Sequence, residues 1–154
     1  MSMIKGLYEA HLPVRSLETS IEFYKKLNLE IAYQKEKLVF FWIEKGRSWL
    51  GLWETDKVET PYHPSLRHIA FQVDIEDIEV AKEWLEQKGI PVKTDFGFRP
   101  EKQPLVLPNN PNAHAAIYFQ DPDGNSLELI TPLRLDFEKD FEMMSLEDWN
   151  RKNN

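Results

Sequence analysis

The stretches HLPVRSLETSIEFYKKL (residues 11–27) and HIAFQVDIEDIEVAKEWL (residues 68–85) run in step. Each opens on a histidine in an apolar, strand-like run. Each then breaks at short polar residues and continues with helical periodicity. Apolar positions recur at the same offsets from the histidine: Ile21 with Ile78, Tyr24 with Ala81, Leu27 with Trp84. This spacing of three to four residues marks one helix face. The repeat predicts a duplicated strand–helix module, with His11 and His68 at matching places. A carboxylate, Glu128, stands in DPDGNSLELI (121–130), a polar turn followed by an apolar strand. A charge in such a strand is costly to bury unless paired or metal-bound. Two imidazoles and one carboxylate make a metal site with open positions.

Each histidine is followed by more of the same plan. Residues 4–14 read as a strand, and Ser16 as the N-cap of a helix over 17–27. LEIAYQ (29–34), KLVFFWIE (37–44) and SWLGLWE (48–54) are β-branched and aromatic enough for three strands, with Gly46 at a turn. Residues 55–65, polar with two prolines, read as a linker. In the second half, 66–73 is a predicted strand. A helix opening at Asp74 or Glu76 ends at Gly89, and 90–96 is a predicted strand. Residues 97–112 carry four prolines, Arg99 and Lys102, and read as a long loop poised as a lid. AHAAIYFQ (113–120) and NSLELITP (125–132) form a final hairpin. The expected organisation is one domain, 1–133, made of modules 4–54 and 66–132. A C-terminal helical extension covers 134–154, with Ser145 capping its last helix. The fold class is α+β: two βαβββ modules forming a curved mixed sheet around a metal site.

Strand alternation separates two faces. Glu128 shares one with Ser126 and Ile130, whereas Leu127 and Leu129 take the other. Superimposing Gly46 on Gly124 sets Leu50 opposite Glu128, so the first module offers leucine where the second offers a carboxylate.

Composition bounds the function. The chain has 154 residues, no cysteine and a formal net charge of −7. Disulfides, thiolate nucleophiles and Cys-ligated zinc are excluded. The acidic balance argues against nucleic acid and anionic membrane as partners. No apolar run approaches a membrane span, and MSMIKGLYEAHL has no signal-peptide core. The expected setting is cytoplasmic, with a small-molecule substrate.

HLPVRSLETSIEFYKKLNLEI, RHIAFQV…VAKEWLEQKGI and IYFQDPDGNSLELI occur in an order that resembles the vicinal oxygen chelate superfamily. That group holds glyoxalase I, fosfomycin-resistance thiol transferases, bleomycin-resistance proteins and extradiol dioxygenases. The resemblance implies a divalent ion (Zn, Mn, Fe, Ni or Co) held by His11, His68 and Glu128. It implies a substrate whose neighbouring oxygens chelate that ion, and a homodimer. It gives Glu128 a further role as proton acceptor and sets Tyr118 near the metal. Glyoxalase I enzymes usually add a Glu or Gln at the place matched here by Leu50, which cannot bind a metal. Arg99 and Lys102 are candidates for an anionic substrate group, and Trp49, with Trp42 and Trp53, for a pocket wall. The expected function is Lewis-acid activation of a chelating substrate. The alternatives are non-catalytic sequestration in the same pocket and extradiol cleavage. His114 is the local acid–base candidate for the latter.

Overall fold

The computed structural model describes residues 2–59, 63, 66–108, 113–134 and 141–153. The chain divides into two compact units. One comprises residues 1–67 with 121–125, the other 68–120 with 126–154. Among the described residues no helix is long and apolar enough to cross a membrane.

The first unit holds β1 (Glu9–Val14), α1 (Leu17–Lys26), β2 (Ile31–Lys35), β3 (Leu38–Glu44) and β4 (Ser48–Glu54). Its sheet runs β1-β4-β3-β2, with β1 parallel to β4 and the other pairs antiparallel. The predicted strand over 4–14 is shorter at its start. Met3, Ile4, Leu7 and Tyr8 lie exposed before β1. The helix forms where its cap is. Ser16 accepts a hydrogen bond from the Thr19 amide at 3.3 Å, while Glu18 and Lys25/Lys26 match the helix dipole. Asn28 follows at φ 63, a left-handed exit that asparagine tolerates. Leu17 and Tyr24 are buried, as are Val39, Phe41, Leu50 and Leu52 from the sheet. Each such side chain contributes about 1.5–3 kcal/mol.

The second unit holds β5 (His68–Gln72), α2 (Ile75–Ile78), α3 (Ala81–Gln87), β6 (Leu105–Leu107), β7 (Ala113–Gln120), β8 (Ser126–Arg134), β9 (Met144–Ser145) and α4 (Leu146–Asn153). Its sheet runs β5-β8-β7-β6-β9, with β5 parallel to β8. Gly89, at φ 72, ends α3 as expected, with the Ile90 amide donating back to the Leu85 carbonyl at 3.0 Å. The single predicted helix is two short ones.

Two expectations fail in the segment that follows. Residues 90–96 are not a strand. Pro91 has no amide to give a ladder, and Lys93 alone bonds across, its amide donating to the Tyr118 carbonyl at 2.9 Å. The missing strand is β6, inside the segment expected to be loop. A 3₁₀ turn (Pro100–Lys102) precedes it. The tail also contributes a strand. β9 pairs antiparallel with β6 and closes its open edge. Ser145 caps α4 through the Asp148 amide at 3.1 Å, as expected, and Trp149 is buried against Phe141. The acidic stretch Asp136–Asp140, and residues 60–62, 64–65 and 109–112, lie outside the described residues.

Strand register corrects the pairing of Leu50 with Glu128. In the second unit His68 lies beside Ser126, and Ala70 beside Glu128. In the first, His11 lies beside Gly51, and Pro13 beside Trp53. The first-unit equivalent of Glu128 is therefore Trp53. Leu50 points to the opposite, helix-covered face with Leu52, both essentially fully buried. Counting from the turn glycine misled because the equivalent position lies three residues further on in β4: Trp53 is seven residues after Gly46, Glu128 four after Gly124.

Candidate functional site

The second unit brings His68 and Glu128 together. β5 and β8 run side by side, so the two residues share a face at adjacent register positions. His68 Nε2 is 3.0 Å from Glu128 Oε2, and His68 Nδ1 is 3.1 Å from Ser126 Oγ. The Ser126 hydroxyl also accepts from Lys93 Nζ at 3.3 Å, and Lys93 pairs with Asp95 at 3.1 Å. Tyr118 on β7 is the cross-strand neighbour of Glu128. Burial raises the Glu128 pKa above its ordinary value, and the neighbouring His68 pulls it back. Tyr118 is raised too, by burial first and the Glu128 charge second, so its hydroxyl keeps its proton.

Glu128 is 5% exposed, and its second oxygen, Oε1, is buried with no hydrogen-bond partner. A buried carboxylate oxygen without a donor is expensive. A divalent cation is the kind of group that satisfies it, and an imidazole-plus-carboxylate donor set suits Zn, Mn, Fe, Ni or Co.

Gln103 braces this half-site. It is buried, and its side-chain amide donates to the Lys93 carbonyl at 2.6 Å and the Phe98 carbonyl at 3.3 Å. Its carbonyl accepts from the Tyr118 amide at 3.1 Å. The stretch 97–107 is therefore anchored by a turn, a strand and a buried amide rather than being loop throughout. Gln103→Ala should strip partners from buried backbone groups on both Lys93 and Tyr118. The expected loss is about 2–3 kcal/mol in urea unfolding. An unchanged midpoint would show that the brace carries no weight.

His11 lies in the first unit, on the face opposite Leu50. Its Nδ1 accepts from Trp53 Nε1 at 2.6 Å, so Nε2 carries the proton, 3.4 Å from Glu9 Oε1. Trp49 donates to Glu9 at 2.7 Å. That bond first, and His11 second, hold the Glu9 carboxyl below its usual pKa. Trp49 stacks on Phe40 with centroids 4.7 Å apart, and His11 meets Phe40 edge-on. Gly51 makes room for this packing. A Cβ there would lie 2.5 Å from His11 Nδ1 and 2.6 Å from Phe40 Cε1. Gly51→Ala should push the imidazole off Trp53. The shift is readable as a change in the His11 ring resonances, and unchanged resonances would contradict the packing.

Of the remaining candidates, Arg99 and Lys102 are exposed around the 3₁₀ turn. Lys93 is the cation bonded into the His68 network, and sequence reading passed over it because 90–96 looked like an ordinary strand. His114 has a buried, unpartnered Nδ1 on the same β7 face as Tyr118. Among the described residues no group of three metal-ligating side chains is assembled.

Comparison with known proteins agrees with this architecture. The profile of the Glyoxalase/Bleomycin resistance protein/Dioxygenase superfamily matches residues 6–129. The chain belongs to that superfamily. It is 32% identical over 135 residues to the metallothiol transferase FosB of Staphylococcus haemolyticus, covering 84% of this chain and 85% of that one. It is 28% identical over 129 residues to the glutathione transferase FosA of Serratia marcescens, covering 82% and 81%. Among solved structures, the fosfomycin resistance protein FosX of Listeria monocytogenes superimposes with a TM-score of 0.59 at 28% identity, covering 83% of this chain and 93% of that one.

Proposed function

We propose that the chain is a metal-dependent enzyme that activates a small, oxygen-chelating anionic substrate toward attack by a thiol. The observation that carries this reading is the His68–Glu128 pair, with one Glu128 oxygen buried and unpartnered. The names of the relatives, metallothiol and glutathione transferases, support the choice of reaction. In this reading His68, Glu128 and His11 hold one divalent ion, with His11 drawn from the same chain or from a partner in a homodimer. When bound, the ion supplies Lewis-acid polarisation of substrate oxygens.

The side chains have separable tasks. Ser126 orients the His68 ring through Nδ1. Tyr118 keeps its proton beside the Glu128 carboxylate, which also accepts the proton the nucleophile gives up. Lys93 attracts the anionic substrate group, with Arg99 and Lys102 as further cations of the same unit. Trp49 and Phe40 form an apolar wall. To ligate through Nε2, His11 must move its proton to Nδ1, so Trp53 has to release that atom. Trp53→Phe removes the competing donor and should tighten metal binding several-fold in calorimetric titration. Weaker binding would show that the indole supports the ligand.

The reading is tested by metal analysis of the purified protein, followed by a thiol-consumption assay with fosfomycin, glutathione or cysteine and each candidate ion. Metal-dependent consumption that a chelator stops is the expected result. Metal binding and ligand binding without turnover would instead support sequestration.

A further inference from the structure

Residues Asp95–Phe98 form a two-residue hairpin turn. The Phe98 amide donates to the Asp95 carbonyl at 2.8 Å, and the Asp95 amide to the Phe98 carbonyl at 3.1 Å. Its two central residues are both left-handed, Phe96 at φ 48 and Gly97 at φ 78. Such turns call for Gly, Asn or Asp at the first centre. A phenylalanine there is a backbone outlier that costs free energy. Burial does not offset it, since Phe96 is 61% exposed. The turn is nonetheless well pinned. Asp95 Oδ1 accepts from the Phe96 amide at 3.0 Å, Asp95 Oδ2 pairs with Lys93, and Gln103 holds the Phe98 carbonyl.

The ring is not pointed at random. It meets Tyr118 edge-on, centroids 5.8 Å apart and planes at 69°. Tyr118 in turn stands directly across from Glu128 in the β7–β8 ladder. A strained turn thus presents an exposed aromatic surface next to the tyrosine of the candidate site. Lys93, three residues away, is bonded to the turn on one side and to Ser126 on the other. An apolar ring on the turn and an ammonium bonded to that turn suit a ligand with two ends: an anionic group and a flat apolar group.

We propose that Phe96 is a specificity-determining residue that selects anionic substrates bearing a planar apolar group over minimal aliphatic ones. The inference rests on the proposed location of the substrate site and deepens it by naming the substrate class. Strain held at an exposed aromatic is then the signature of a binding surface kept ready, with its contact area completed by the ligand.

The test uses phenylphosphonate and methylphosphonate as probes, titrated calorimetrically into the whole protein with and without zinc. Wild type should bind phenylphosphonate about tenfold more tightly than methylphosphonate, the size of effect expected for covering part of an aromatic ring. In Phe96→Asn that ratio should fall to near one through loss of phenylphosphonate affinity. The same variant should melt no lower than wild type, because asparagine accepts the left-handed backbone. A ratio that survives in Phe96→Asn, no preference in wild type, or no binding of either probe overturns the proposal. A drop in melting temperature of more than about 5 °C would assign Phe96 to the fold instead. Loss of the oligomer with an intact ratio would assign it to an interface. Absence of metal uptake by wild type sinks the metal centre separately, because the ratio of the two affinities is read without zinc as well.

Discussion

Glu128→Gln should lower divalent-metal affinity by at least about 100-fold while leaving the protein folded. Removing even an outer-shell partner of a metal ligand typically costs 10–100-fold, and Glu128 is proposed as a direct ligand. The carboxamide keeps the size of the carboxylate but offers a single neutral oxygen. The fold should tolerate it because the strand face opposite is intact. Leu127 and Leu129 remain buried beside Ile117 and Phe119. In the metal-free protein the change also removes a buried carboxylate whose Oε1 has no partner, so melting should stay within a few degrees of wild type or rise. Titration of zinc and manganese, with elemental analysis of the dialysed protein, checks both halves. His68→Ala should behave alike for metal. Full occupancy in either variant would falsify the ligand assignment.

The duplicated pattern was readable because it repeats a period. A histidine, a polar break and a 3.6-residue apolar stripe at matching offsets specify the same local structure twice, and Ser16 and Gly89 mark helix ends by local backbone chemistry. The shared face of Glu128 and Ser126 was equally legible, since alternation depends only on strand identity. Register was not. Leu50 and Trp53 both fit an apolar strand, and only the β1–β4 ladder shows which stands where Glu128 stands in β8. The short strand β6 was hidden for a different reason. Its three residues, Leu105–Leu107, sit among prolines that signal loop, and what fixes them is pairing to β7 and β9, distant in sequence. Lys93 and Phe96 escaped notice likewise. Their environment is built by the Gln103 side chain and by a turn whose strained centre carries an unexpected residue.

The largest loss of stability should come from Asp121→Ala, in the DPDG turn. Asp121 is 5% exposed and accepts four hydrogen bonds. Its Oδ1 takes the Asp123 amide at 2.9 Å and the Asn125 amide at 2.8 Å, which closes the turn on itself. Its Oδ2 takes the Asn125 side chain at 2.7 Å and the Tyr24 hydroxyl at 2.9 Å, which ties the turn to α1. Tyr24 is fully buried, so alanine at 121 would leave its hydroxyl stranded. Bonds to a charged acceptor are worth about 1.5–3 kcal/mol singly and do not add. A total of about 3–5 kcal/mol is expected, a large share of an ordinary domain's stability. Tyr24→Phe removes one donor and leaves the turn's own bonds in place, so it should cost about 1 kcal/mol or less. Urea unfolding of the two single variants and the double variant measures their coupling. Additive losses would show that hydroxyl and carboxylate do not act on each other. A shortfall in the double variant would place the tyrosine's contribution in the bond to Asp121.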